Sequence, residues 1–355
     1  METPAPFRDD VVSSLSIVSM SVPCRDATLS RSYDILCADT LQTTNVFDQG
    51  PSGVATSAGG DLTGRLSWPG ARLLASWLSV QQQLRRQEGL EQTAVTLGNS
   101  VVELGCGAGL VAAALANVAA PRQLVITDGD PKVLILAEQT MKLNASPNAT
   151  ADCRIYPLQW GDLDAADRLI RSTLPENGTR RFDSVVAADC VYPHPAPQSH
   201  EVARSLFATA ARLLAGPADA GQLLLAHVCR NEAVDTELVK NAFEGGRFVW
   251  RRSWRAEELL DAAALDCGEL AVLRGSRVIL FTPHTSADAD RPLGEPTEPA
   301  EQRPWWADPV RVQARAETRK AAEEAAAVEF RWEAPFGGGD DDDDDDDDGG
   351  GDGDK

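Results

Sequence analysis

Histidine is scarce in this sequence: there are four, and none stands at a metal-ligating spacing. The seven cysteines, Cys24, Cys37, Cys106, Cys153, Cys190, Cys229 and Cys267, form no C-x-x-C pair. Together these absences argue against a structural zinc site, and no metal is expected. An odd number of scattered cysteines, four of them in apolar runs, also argues against a disulfide framework. It fits reduced core thiols in a cytosolic or nuclear protein. No G-x-S-x-G elbow and no Walker-type loop occurs, so the signatures of serine hydrolases and P-loop nucleotidases are missing. The longest apolar stretch, around Gly109 to Pro121, is too short to span a bilayer. The opening METPAPFRDDVV lacks a basic-then-apolar pattern. Neither a membrane span nor a secretory signal is therefore expected.

Positive charge is in deficit. The 355 residues carry a formal charge of −21, of which the eleven Asp and one Lys between Gly337 and Lys355 account for −10, leaving −11 for the rest. A body that acidic is a poor nucleic-acid binder, because phosphates need cations to replace their counterions. It suits basic partners, including proteins that present lysine.

What the chain does have is alternation. Four segments are expected. Residues 1–60 are irregular, with LSIVSMSV and YDILC able to serve as edge strands. Residues 61–283 alternate strands with helices. Residues 284–336 form a Pro-rich linker and a charged helix, with Trp305, Trp306, Trp332 and Phe336 available to dock it. Residues 337–355, Gly and Asp with a final Lys, are expected to be disordered. In the second segment, strands separated by helices of ten to fifteen residues imply an α/β fold: a doubly wound, mostly parallel sheet with helices on both faces. RFVWRRSW and RVILFTP, with little helix between them, read as a closing antiparallel pair.

At VVELGCGAGL (101–110) a strand runs into three glycines, Gly105, Gly107 and Gly109, and then a helix. A bare turn there lets a ligand lie against backbone, beside the free N–H groups of the helix. The next strand ends at Asp128, 23 positions after Gly105, where a carboxylate can accept from two ribose hydroxyls. The ligand is read as an adenosine derivative, either a dinucleotide or S-adenosylmethionine. The dinucleotide fingerprint wants its third glycine one residue later than it stands here. Asp128 can alternatively cap the helix that starts at Pro131. Glu103, inside the first strand, is costly to bury without a partner and is expected to brace the turn.

Five pieces in series, TGRLSWPGARLLASWL (63–78), VVELGCGAGL (101–110), VITDGDP (125–131), LQWGD (158–162) and FDSVVAADCVY (182–192), resemble the seven-stranded, Rossmann-like S-adenosylmethionine-dependent methyltransferases. Within that class they resemble the protein-lysine methyltransferases, and most closely the calmodulin-lysine branch. The resemblance covers roughly residues 60–283. It implies cofactor contacts at Trp68, Gly105, Cys106, Gly107, Asp128, Trp160 and Ala188. It implies a lysine-directed D-x-x-Y pair at Asp189 and Tyr192, with Asp189 orienting the amine and Tyr192 walling its channel. It implies methylation of lysine on a protein substrate; a monomer is expected. The other readings are transfer to a small molecule or another protein nucleophile, and a non-catalytic scaffold working through its acidic tail. His194, beside two prolines, is a weaker candidate for a proton shuttle than for a solvent-exposed loop residue.

Overall fold

The structure, a computed structural model, describes residues 15–38, 63–87, 94–146, 151–174, 181–192, 198–214, 221–229, 232–261 and 275–285, with the single positions 273, 288, 299, 313, 314, 317, 318 and 320. By internal contacts the chain divides into two units, Met1–Asp308 and Pro309–Lys355. In the second unit the described residues are helical, and Gln313 Nε2 donates to Glu317 Oε1 one turn on (2.9 Å). The four docking aromatics and the Gly/Asp tail lie outside the described residues, as does His194.

The first unit holds a seven-stranded sheet in the order β5-β4-β3-β6-β7-β9-β8, built from β3 (Ser100–Leu104), β4 (Gln123–Asp128), β5 (Asp152–Pro157), β6 (Ser184–Ala188), β7 (Gln222–His227), β8 (Phe248–Arg255) and β9 (Arg277–Pro283). Strands β3 to β7 are parallel, and β9 is antiparallel to both of its neighbours. The helices are α1 (Pro69–Arg86), α2 (Leu110–Ala114, continued by a π-helical turn Leu115–Ala119), α3 (Pro131–Leu143), α4 (Leu163–Thr173), α5 (Gln198–Leu213), α6 (Glu232–Gly246) and the short α7 (Ala256–Leu259).

Why the sheet is covered on both faces is visible in its side chains. Val101, Ile126, Val186 and Leu224 join one core with residues of α1, α2 and α3. Their chain neighbours Val102, Val125, Val185 and Leu225 join a second core with α4, α5 and α6. Strands buried on both sides are near-continuous in apolar residues, as these are. Helix α1 shows the complementary pattern: Pro69 opens it, and Leu73, Leu74, Trp77, Leu78 and Gln81 recur at helical spacing and are buried. Among the described residues no helix is long and apolar enough to cross a membrane.

The two apolar pieces expected as strands in the N-terminal segment, LSIVSMSV and YDILC, do form strands: residues 15–38 are an antiparallel hairpin of β1 (Leu15–Val22) and β2 (Arg31–Ala38). Val18 and Met20 pack against the first core and Val22 belongs to it, while Ile17, Ser19 and Ser21 face out. Asn144, just past α3, secures β2. Its Oδ1 accepts from Asp34 N–H (3.0 Å), and its Nδ2 donates to the Asp34 carbonyl (2.7 Å).

The order of strands reverses between β3 and β6, the strands that step outward in opposite directions along the sheet. The crevice beyond their carboxyl ends is where a doubly wound sheet leaves room for a ligand.

Candidate active site

Strand β3 ends at Leu104, and Gly105 turns the chain with φ +68°. A Cβ there would lie 2.8 Å from Cys190 Sγ and 2.9 Å from Trp160 Cζ2, so only glycine fits both the dihedral and the space. Cys106 N–H donates to the Thr127 carbonyl (2.9 Å), which ties the turn to β4. At Gly109 (φ +89°) a Cβ would stand 2.8 Å from Ala137 Cα, so this glycine sets the close approach of α2 to α3.

Asp128, half-buried at the end of β4, holds the turn. Its Oδ2 accepts from Gly107 N–H (3.1 Å) and its Oδ1 from Asp130 N–H (3.0 Å). Burial pushes this carboxyl above its ordinary pKa, and the backbone donors oppose that shift. Helix α3 is capped by Asp130, whose Oδ1 accepts from Lys132 N–H (2.8 Å), so Asp128 is not the N-cap. A carboxylate has about four acceptor positions, and these two bonds leave capacity for two more.

A cavity of about 330 Å³ opens at this point. Gly105, Gly107 and Asp128 line it with Trp160, which follows β5. Trp68, at the N-terminus of α1, and Ala188, Asp189 and Tyr192, which end or follow β6, line it too. The structure thus brings eight of the nine sequence-predicted residues to one cavity. Cys106 is the exception: its thiol is buried away from the lining, and burial raises its pKa well above the ordinary value. It contributes through its backbone.

Gly64, Gly129, Gln159 and Cys190 also line the cavity, and sequence reasoning did not single them out. All four fall inside the motifs quoted above. Gly129 had a readable signal, since a glycine inside TDGDP points to close approach. A Cβ there would meet Gln159 Oε1 at 2.5 Å.

Glu103 departs from expectation. It is 1% exposed, and its Oε2 is buried without a hydrogen-bond partner, so its side chain does not brace the turn. Burial first, and the nearby Asp128 charge second, raise its pKa well above 4.5. The folded chain therefore holds this proton more tightly than the unfolded chain. Stability falls as pH climbs above the ordinary value towards the raised one. Glu103→Gln is isosteric and neutral. In thermal melts between about pH 5 and about pH 8 the wild type is expected to decline relative to this variant. Parallel curves would show that no buried neutral acid exists.

The chemistry of the lining discriminates between ligands. Its charged groups among the described residues are Asp128, Asp130 and Asp189, with no Lys or Arg. Three carboxylates disfavour a dianionic pyrophosphate and favour a cationic sulfonium. The bare turn, the ribose-competent Asp128 and the indole of Trp160 fit the nucleoside end of S-adenosylmethionine. The volume lies at the lower end of ligand pockets, which span about 300–1,000 Å³.

This sheet order, with its site at the strand-order reversal, defines a Rossmann-like methyltransferase. A sequence model of the family described as lysine methyltransferase matches residues 54–234, just over half of the chain, and the chain belongs to that family. Its cofactor is S-adenosylmethionine. A calmodulin-lysine N-methyltransferase of Arabidopsis thaliana is 25% identical over 125 residues, 35% of this chain and 34% of that protein. The chain thus spans about a third of that relative's length. Among solved structures, TrmN from Thermus thermophilus shares 18% identity over 61% of this chain and 53% of its own, with a TM-score of 0.35. An arsenic(III) S-adenosylmethionine methyltransferase from Chlamydomonas reinhardtii, CrArsM, shares 14% over 58% and 72%, with a TM-score of 0.31. The fold class rests on the strand order itself.

Proposed function

We propose that this protein methylates a lysine side chain of a protein substrate. The observation that carries the reading is that Asp189 and Tyr192 wall the same cavity as the glycine turn and Asp128. The related calmodulin-lysine N-methyltransferase supports the choice of lysine. When bound, S-adenosylmethionine supplies a methyl group activated on a sulfonium centre.

The chain's own task is to hold an amine in line and without its proton. A lysine in water has a pKa near about 10.4. Partial burial in the cavity lowers it, and the proton leaves to solvent. Asp189 accepts a hydrogen bond from the amine and fixes its approach, while the Tyr192 ring attracts the ammonium as it enters. Trp68 and Trp160 exclude water on either side. The net charge of −21 favours a lysine in a basic stretch of the partner. The free thiols of Cys24, Cys106, Cys153 and Cys190 suit the reducing cytosol or nucleus, where we place the protein, as a monomer.

The test is to incubate the full chain with methyl-labelled S-adenosylmethionine and a cell lysate, then map the labelled residue. Label on lysine is expected. Label on arginine, histidine or a metabolite overturns the assignment. No label together with no S-adenosylmethionine binding by calorimetry favours the scaffold reading.

A further inference from the structure

Asp189 is held from two sides. Its backbone N–H donates to the Ala226 carbonyl on β7 (2.9 Å), and its φ of +59° turns it out of the strand line. Its side chain reaches α1, where Oδ2 accepts from Gly70 N–H (3.3 Å). Helix α1 needs that acceptor. Trp68, at the N-cap, supplies no side-chain cap, and Pro69 has no N–H to offer. The Asp189 side chain therefore supplies, from 119 positions away, the acceptor that the N-cap residue of this 18-residue helix does not.

Gly70 is what allows this. A Cβ there would lie 2.8 Å from Asp189 Cβ, 3.1 Å from its backbone nitrogen and 3.2 Å from Cγ. Two of those atoms are backbone or backbone-attached, and none is the free end of a flexible chain. The Asp189 side chain is 6% exposed, so it has little room to move aside. A methyl group at position 70 displaces the carboxylate or the helix that carries Trp68, and both are cavity walls.

We propose that Gly70 is a positioning residue: its missing side chain and its N–H set where the Asp189 carboxylate stands in the cavity. This rests on the lysine methyltransferase reading above. Gly70 does not line the cavity, so it acts through Asp189.

The experiment has two arms, both on the full chain. In the first, urea unfolding compares wild type, Gly70→Ala, Asp189→Gly and the double variant. Glycine at 189 suits the positive φ and removes the Cβ that an alanine at 70 would strike. Gly70→Ala is expected to lower stability more in the wild type than in the Asp189→Gly background, where only the contact with the backbone nitrogen at 3.1 Å remains. Additive effects overturn the contact. In the second arm, kcat on the mapped lysine substrate is read beside the dissociation constant for S-adenosylhomocysteine. Gly70→Ala is expected to lose about tenfold or more in kcat, with the dissociation constant moved less than about threefold. Wild-type kcat overturns the proposal, and so does equal loss of cofactor binding, which would mean general collapse. Asp189→Asn serves if Gly70→Ala folds poorly. It keeps an acceptor for Gly70 N–H, so stability is expected to hold while kcat falls, and a loss of both overturns the proposal. If the wild type labels no lysine, the functional reading fails and takes the positioning role with it, while the unfolding arm still reports whether the two residues touch.

Discussion

Asp128→Ala is expected to weaken S-adenosylhomocysteine binding about a hundredfold or more, measured by calorimetry at neutral pH. The estimate has two sources. A carboxylate that accepts from both ribose hydroxyls makes two charge-assisted bonds, each worth about 1.5–3 kcal/mol, and the loss of both exceeds the hundredfold mark. The same carboxylate also organises the protein side of the site, because Gly107 N–H and Asp130 N–H both end on it. Its removal leaves the glycine turn without its anchor. Asp128→Asn separates the two sources: the amide keeps one acceptor oxygen but sets a donor where the second stood. An intermediate loss of about tenfold is expected for it. Because burial raises the Asp128 pKa, wild-type affinity should begin to fall with acid above the ordinary value of 3.8. An Asp128→Ala protein that binds like the wild type would place the ribose elsewhere.

How much of this site was legible follows from how local each signal is. The glycine turn and Asp128 are separated by one strand–helix–strand passage, so their spacing reports their meeting directly. Asp189 and Tyr192 were legible for the same reason, since both lie just past a strand whose apolar run shows burial on both faces. The hairpin was not legible as part of the core. In β1 the inward residues Val18, Met20 and Val22 do alternate, but Ile17 stands outward at 59% exposure and breaks the pattern. Hydrogen bonds that hold the hairpin come from far along the chain: Asn144 lies 110 positions from Asp34, and Thr140 lies 104 from Leu36. Asp128 and Asp130 were indistinguishable as caps by composition, and only geometry shows which one faces Lys132 N–H. The sequence predicts a brace at Glu103, because a buried acid ordinarily finds a donor. Here burial is met by a raised pKa instead, an outcome that residue identity does not encode. The meeting of Gly70 with Asp189 depends on how α1 docks on the sheet, and no spacing rule reaches that far.

Asp189→Ala is expected to lower turnover on the lysine substrate about a hundredfold or more while S-adenosylhomocysteine binds within about threefold of wild type. The separation follows from placement. Asp189 follows β6, whereas Gly105, Gly107 and Asp128, the proposed nucleoside anchors, follow β3 or end β4, so truncation is expected to remove the amine's guide and to leave those three in place. Misplacing a nucleophile by about 1 Å is enough to cost two orders of magnitude. A stability cost of about 1 kcal/mol accompanies the change, because Gly70 N–H loses its acceptor and α1 its cap. The fall in turnover must therefore be read at a temperature where the variant remains folded. A scaffold that merely keeps the fold would show the stability loss and nothing else. Its partner binding would be indifferent to position 189. Undiminished turnover in a folded Asp189→Ala protein would remove the carboxylate from the reaction, and would leave Tyr192 and the desolvation of the channel to orient the amine alone.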